Sequence, residues 1–370
     1  MRRLQLFAIL VAMAFVACEK DDNSPSALLT DSMARQIERQ AWYNANPESE
    51  EADVVVESEI HKLEFFGWGE DKDKIFTLNF PTEAKSFRRA ILEYQMGGWN
   101  KGPAAYDNTT MLFIKNKADD EWYEIARAFT PYGEGFTSAW KKSFYIDVTP
   151  YIPMLEGDTE FRLYYGGFDA NDQRAHTLTL TFNLYEGEPE REMVYVAKVY
   201  DSSRNGNSGY RGYAYGVEGH DIEADERMGK RSFEIPAEVK ELEMKVAISG
   251  HGHDLGNFPY RQGYVRQNAA EFVENTYQIF VDNKPQRRMG RIFYSNADNY
   301  EQTGTYWYDR ANWAPGNPLY VHYWSINRGS NPPQTMTLNL NLETFISTMD
   351  QTNAEGVAQY IVEVDLFGYK

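Results

Sequence analysis

The stretch Ala247–Asn257, AISGHGHDLGN, holds two of the six histidines of the chain with one glycine between them. Residues i and i+2 of a strand share a face, so His251 and His253 are placed to clamp one metal ion. A third ligand is then required, and His322, Asp254 and Met244 are the donors on offer. The plainer alternative is a polar wall of a cleft. Carboxylates offer a different chemistry. Asp107 closes the loop GGWNKGPAAYD and opens a strand, and Glu271, in QNAAEFVEN, stands a few residues before another. Two acids brought together push their pKa values apart, so that one group takes a proton from water while the other holds one. Each acid taken alone is an ordinary turn residue. The chain has no Gly-x-Ser-x-Gly, phosphate loop or His-Glu-x-x-His, which leaves serine-hydrolase, nucleotide and zincin chemistry without a signature. No cofactor is expected.

These groups must be positioned by strands. Short alternating or apolar runs between turn residues fill the chain from about Val54 onward, which predicts an all-β fold. The 370 residues suffice for two domains, and the net charge of -18 speaks against a nucleic-acid partner. The boundary is expected near Glu186–Glu192, giving an N-terminal domain over 56–188 and a C-terminal domain over 189–370. An internal repeat supports the division. FPTEAKSFRRAILEY resembles IPAEVKELEMKVAIS, and DNTTMLFIKNK resembles ENTYQIFVDNK, in the same order. From Pro81 to Asp107 the spacing is 26, and from Pro236 to Glu274 it is 38, so His251 and His253 open the longer loop of the second copy. Equivalent loops of two such units meet at one interface, a common place for a ligand cleft.

The N-terminus reads as an export leader over 1–17. Met1–Arg3 is charged, Leu4–Ala17 is apolar but too short to span a bilayer, and FVAC ends it. Cys18, the single cysteine, resembles the lipidated residue of a bacterial lipobox, and the CEKDDNS that follows resembles the surface-export tag of Bacteroidetes lipoproteins. The expectation is an outer-membrane lipoprotein exposed at the cell surface. Residues 18–55 read as a tether with one short helix over Ser32–Tyr43.

In combination, NFP, YDNTTMLFIKNKADDEWYEIARAFTPY, ISGHGH, AAEF, IFVDN and DRANWAPG, in this order from about Phe65 to the C-terminus, resemble the peptide:N-glycosidase F family. That resemblance implies two adjacent eight-stranded jelly-roll sandwiches. It implies hydrolysis of the amide between asparagine and the first N-acetylglucosamine of an N-glycan, with glycoproteins or glycopeptides as partners. It places the catalytic carboxylate at Asp107, a second acid at Glu271 and an arginine at Arg310, which either polarises a carbonyl or holds a carboxylate. Tyr106, Asn108, Phe168 and Phe272 become substrate-facing, as do His251, His253 and Trp313. The family's Tyr-x-Glu-x-Trp run reads YYGGF here, with Gly166 where its glutamate stands and Asp169 a short way on. A glycan-binding protein without turnover is the alternative. Copper monooxygenases of the peptidylglycine type are built on the same paired architecture, so a metal-dependent oxygenase stays open through His251 and His253.

Overall fold

A computed structural model describes residues 51–64, 71–82, 86–166, 173–201, 213–214, 228–251, 271–272, 274–326, 334–342 and 359–370. The leader, Cys18, the expected helix, Phe168, Asp169, His253 and Asp254 lie outside them. Among the described residues no helix is long and apolar enough to cross a membrane.

Among the described residues eighteen strands make four antiparallel sheets. The first sheet has the order β1 (Val54–Glu57), β9 (Arg174–Glu186), β4 (Phe87–Asn100), β7 (Lys141–Asp147), and β2 (His61–Leu63) continues the β1 edge along β9. The second runs β3 (Asp71–Phe80), β8 (Gly157–Gly166), β5 (Thr109–Asn116), β6 (Glu121–Phe129). The third runs β10 (Met193–Asp201), β18 (Gln359–Tyr369), β13 (Glu241–His251), β16 (His322–Ile326), with β11 (Tyr213–Ala214) continuing the β10 edge along β18. The fourth runs β12 (Arg231–Glu234), β17 (Thr335–Leu342), β14 (Asn275–Val281), β15 (Lys284–Ile292). With each interrupted edge counted as one strand, both sandwiches have four strands per sheet in the same order. The repeat follows the same plan, since β4 and β13 hold equivalent positions, as do β5 and β14.

Alternation explains the cores. In β14 every second residue is buried, and Tyr277, Ile279 and Val281 join Val246, Ile248, Leu338, Leu340 and Val364 in one cluster. In the first sandwich Leu92, Tyr94, Leu112, Leu163, Leu180 and Phe182 do the same. β13 departs from alternation, being buried at every residue after Glu241. Its Met244, Val246 and Ile248 face their own core. Lys245, Ala247, Ser249 and His251 face the neighbouring sandwich, where β6 meets them.

That interface carries buried charge. Arg127 and Glu124 of β6 pair at 2.7 Å with both side chains buried. Arg127 Nη1 also donates to Ser249 Oγ at 2.8 Å and to the Ile361 carbonyl at 3.1 Å. Lys245 donates to the Glu124 carbonyl and to the Tyr151 hydroxyl, and that hydroxyl donates to Asp365. Backbone bonds continue the joint: Phe129 N–H to Asn317 O at 3.0 Å, Gly316 N–H to Phe129 O at 3.0 Å, and Leu319 N–H to Arg127 O at 2.8 Å. Gly316 sits here at φ 75°, and a Cβ would stand 1.9 Å from the Tyr300 hydroxyl. Gly316→Ala is therefore expected to cost about 1–3 kcal/mol, read as a lowered midpoint in thermal unfolding. An unchanged midpoint would contradict this reading of the turn.

Candidate active site

Asp107 and Glu271 come together at this interface. Asp107 ends the β4–β5 loop and Glu271 ends the equivalent β13–β14 loop, so the pseudo-symmetric design delivers one acid from each sandwich. Between them lies Arg310, fully buried, in the segment that follows β15. Its Nη2 is 3.3 Å from Asp107 Oδ2 and its Nε is 3.3 Å from Glu271 Oε1. Nη1 donates to the carbonyls of Thr305 and Tyr308, each at 3.0 Å. Nη2 also donates to the Tyr132 hydroxyl and to Thr305 Oγ1, each at 3.2 Å. The guanidinium lies 5.1 Å from the Phe272 ring centre and 4.7 Å from that of Trp313. Both Nη atoms donate to protein oxygens, while Nε makes an ion pair with Glu271 without a hydrogen bond, so Arg310 stands between the two carboxylates.

The backbone explains why Arg310 is so fixed. Tyr294 and Arg310 exchange two backbone bonds, of 2.8 and 3.0 Å, and the Ala311 N–H donates to the Glu271 carbonyl at 2.7 Å. Asn312 takes a positive φ of 70°, which asparagine tolerates. Its side chain donates to Ile248 O at 2.8 Å and Tyr320 O at 2.7 Å. Glu271 and Arg310 are thus tied together through main chain as well as charge.

Asp107 is recessed, with 13% of its side chain exposed. Burial pushes its pKa up to about 7; Arg310 opposes this, the charge of Glu271 adds to it, and Tyr132 opposes it weakly. A carboxylate raised to that value is matched to proton transfer near neutral pH. His251 is buried, and burial holds its imidazole down to about 3. It is neutral at neutral pH, with Nε2 2.8 Å from Ser249 Oγ. It stacks on Trp313 at 5.3 Å, and Trp313 stacks on Phe129 at 4.4 Å.

Several expected substrate contacts take other places. Trp313 is 3% exposed and donates its indole N–H to Gly250 O at 2.8 Å, so it forms the floor under Arg310. Phe272 is buried beside the guanidinium. Asn108 is buried and donates to the Tyr106 carbonyl at 3.2 Å, which shapes the Asp107 loop. Tyr106, at 38% exposed, does face solvent beside Asp107. Gly166 ends β8 directly opposite Thr109, two residues from Asp107. The position that carries a third acid in the resembled family is therefore beside the site and bears no side chain.

Of the extra metal ligands, His322 and Met244 do not converge on His251. His322 pairs with Val246 and Met244 with Trp324, five and seven residues back along β13. His322 Nδ1 is taken by the Tyr277 hydroxyl. Among the described residues no group of three or more His, Cys, Asp or Glu is placed to hold a metal.

Tyr132 and Thr305 were missed by residue-level reasoning. Tyr132 lies in the TPY that ends the strongest matching run, so a signal existed. Thr305 has none, because its part is played by a carbonyl and a hydroxyl in a turn.

Two jelly rolls joined along a buried interface, with one acid supplied by each and a shared arginine, define a class of two-sandwich proteins with an inter-domain carboxylate site. No family model matches the chain. It is 26% identical over 320 residues, 85% of this chain and 83% of the other, to the peptide-N(4)-(N-acetyl-beta-D-glucosaminyl)asparagine amidase F of Elizabethkingia miricola. A crystal structure of peptide-N(4)-(N-acetyl-beta-D-glucosaminyl)asparagine amidase superposes with a TM-score of 0.66 at 22% identity, over 86% of this chain and 96% of that one. PNGF-II superposes with a TM-score of 0.58 at 16% identity, over 87% of this chain and 62% of that one. At these identities the superpositions speak for the fold. The sequence match runs across most of both proteins, and the chain is similar over that length to peptide:N-glycosidase F.

Proposed function

We propose that the chain is a peptide:N-glycosidase. It hydrolyses the amide between asparagine and the first N-acetylglucosamine of glycoproteins or glycopeptides and leaves aspartate. The observation that carries this is the pair Asp107 and Glu271, delivered by equivalent loops and bridged by one buried arginine. Asp107 takes a proton from water as the water oxygen adds to the amide carbon, and returns it to the departing nitrogen as the C–N bond breaks. Glu271 orients the water and, by its charge, keeps the Asp107 pKa high. Arg310 keeps both acids at a fixed separation, and Tyr132 fixes Asp107 and Arg310 together. Release of intact glycan from a defined glycopeptide, followed by mass spectrometry, tests the reading.

A pH profile gives a second test. Asp107 acts as a base only when ionised, so kcat/KM is expected to rise with pH through about 7, an apparent value that belongs to the coupled pair. His251 is already neutral there, so His251→Phe should leave the limb in place. A rate that falls as pH rises through neutrality would assign Asp107 the acid's part instead.

The empty position at Gly166 favours one competing reading, a glycan-binding protein without turnover. Binding of glycopeptide with no cleavage on long incubation would establish it.

The leader extends the proposal to location. The charged Met1–Arg3, the apolar Leu4–Ala17 and the single cysteine at position 18 support a lipid-anchored protein on the outer membrane, displayed at the cell surface. Incorporation of labelled palmitate that disappears in Cys18→Ser is the expected result. Labelling that persists in that variant would refute it.

A further inference from the structure

Three aromatic side chains are exposed by 36% or more among the described residues: Trp99 at 44%, Tyr106 at 38% and Trp307 at 36%. Trp99 lies at the end of β4 under Lys62. Tyr106 and Trp307 both border the acid–arginine cluster. Trp307 is flanked in the chain by Tyr308, whose carbonyl binds Arg310, and lies two residues beyond Thr305, whose carbonyl and hydroxyl do the same.

The indole is braced. Tyr306 meets it edge-on at 5.3 Å and 81°, and Tyr308 at 5.1 Å and 61°. Tyr308 in turn stands edge-on to Phe272 at 6.0 Å, and Phe272 packs on the Arg310 guanidinium. The turn that carries Trp307 is clamped to the first sandwich. Gly304 has φ 70° and lies so close to the Tyr132 ring that a Cβ would be 2.6 Å from it. Thr303 Oγ1 donates to the Tyr132 carbonyl at 3.3 Å, and Tyr132 and Thr305 share a hydroxyl–hydroxyl bond of 3.0 Å. A large aromatic surface is thus held rigid and open to water at the rim of the site. Such a group binds with little loss of side-chain freedom.

We propose that Trp307 is an outer glycan subsite, where the indole stacks on the C–H face of a pyranose ring beyond the one bonded to asparagine. The first ring must sit at the recessed acids, so a ring at the rim is a later one. A peptide is the weaker occupant. Extended peptides are gripped by main-chain pairing on a strand edge, whereas residues 303–308 form turns and their Thr305 and Tyr308 carbonyls point inward to Arg310. The proposal rests on the reading that the site takes N-glycans, and its test separates the two.

Trp307→Ala and Trp307→Phe are compared with the unmodified protein on two substrates of one peptide sequence, one bearing a single N-acetylglucosamine and one a full high-mannose glycan. Loss of one stacking partner is expected to raise KM about tenfold on the full glycan for the alanine variant. kcat should stay within about twofold, the single-sugar substrate should be unaffected, and phenylalanine should restore most of the loss. An equal loss on both substrates, a loss that follows peptide length, or no change in KM on either would overturn it. Binding of the free high-mannose oligosaccharide to the Asp107→Asn protein, with and without Trp307→Ala, is measured by titration calorimetry. Binding weakened by Trp307→Ala in the Asp107→Asn background, together with no hydrolysis by the unmodified protein, would remove the amidase reading and keep the subsite. Hydrolysis with binding indifferent to Trp307 would do the reverse.

Discussion

Asp107→Asn is expected to lower kcat/KM for glycopeptide hydrolysis by about 10²–10⁴-fold, the usual worth of a positioned base. The substitution is nearly isosteric, so the loop and Arg310 should stay in place and substrate binding should survive. A second signature goes with it. A carboxyl whose pKa is raised by folding is bound to its proton more in the native state than in the unfolded one. Stability then falls as pH rises from its ordinary value of 3.8 towards about 7, and the deficit persists above. The neutral amide escapes that deficit. Asp107→Asn should therefore melt higher than the unmodified protein at pH 8 and lose that advantage at pH 4. An active site that costs stability behaves in this way. A variant that is inactive and also less stable at pH 8 would show that Asp107 serves the fold instead.

The largest expected effect on stability lies one strand away. Arg127→Met removes the partner of Glu124, whose two carboxylate oxygens receive Arg127 Nε at 3.1 Å and Nη2 at 2.7 Å. Breaking a buried pair from one side costs about 3–5 kcal/mol, because the remaining charge is stranded. The loss also frees the Ser249 hydroxyl and the Ile361 carbonyl, which tie the sandwiches together. Glu124→Gln combined with Arg127→Met should recover part of the loss, since no charge is then buried alone. Denaturant unfolding of the two variants measures the difference. If the double variant is less stable than the single one, the bonds from Arg127 to Ser249 and Ile361 outweigh the ion pair.

Much of the fold was legible from alternation and turns, and the repeat matched β4 with β13 and β5 with β14. The resemblance brought Asp107, Glu271 and Arg310 to one place, and the structure has Arg310 within 3.3 Å of both acids. Other features were not legible for physical reasons. Lys245, Glu363 and Asp365 alternate with apolar residues, a pattern that by itself gives no sign of a buried interface. They are buried, because the outer faces of two sheets pack on one another and neutralise charge in pairs. Trp313 and Phe272 read as walls for a sugar, yet they hold a guanidinium. Composition cannot tell an aromatic that faces a ligand from one that faces an arginine. His322 and Met244 read as partners for His251, and strand register alone sets them too far along β13.

The central claim is that water, activated by Asp107, adds to the asparagine side-chain carbonyl. It is tested most directly by incubating an N-glycopeptide with the protein in water enriched in oxygen-18, beside an Asp107→Asn control. The expected product is the free peptide with aspartate at the former glycan site, one oxygen-18 in its new carboxylate, and no such product in the control. A peptide that keeps asparagine with a sugar attached, or that is released equally by the control, would contradict the account.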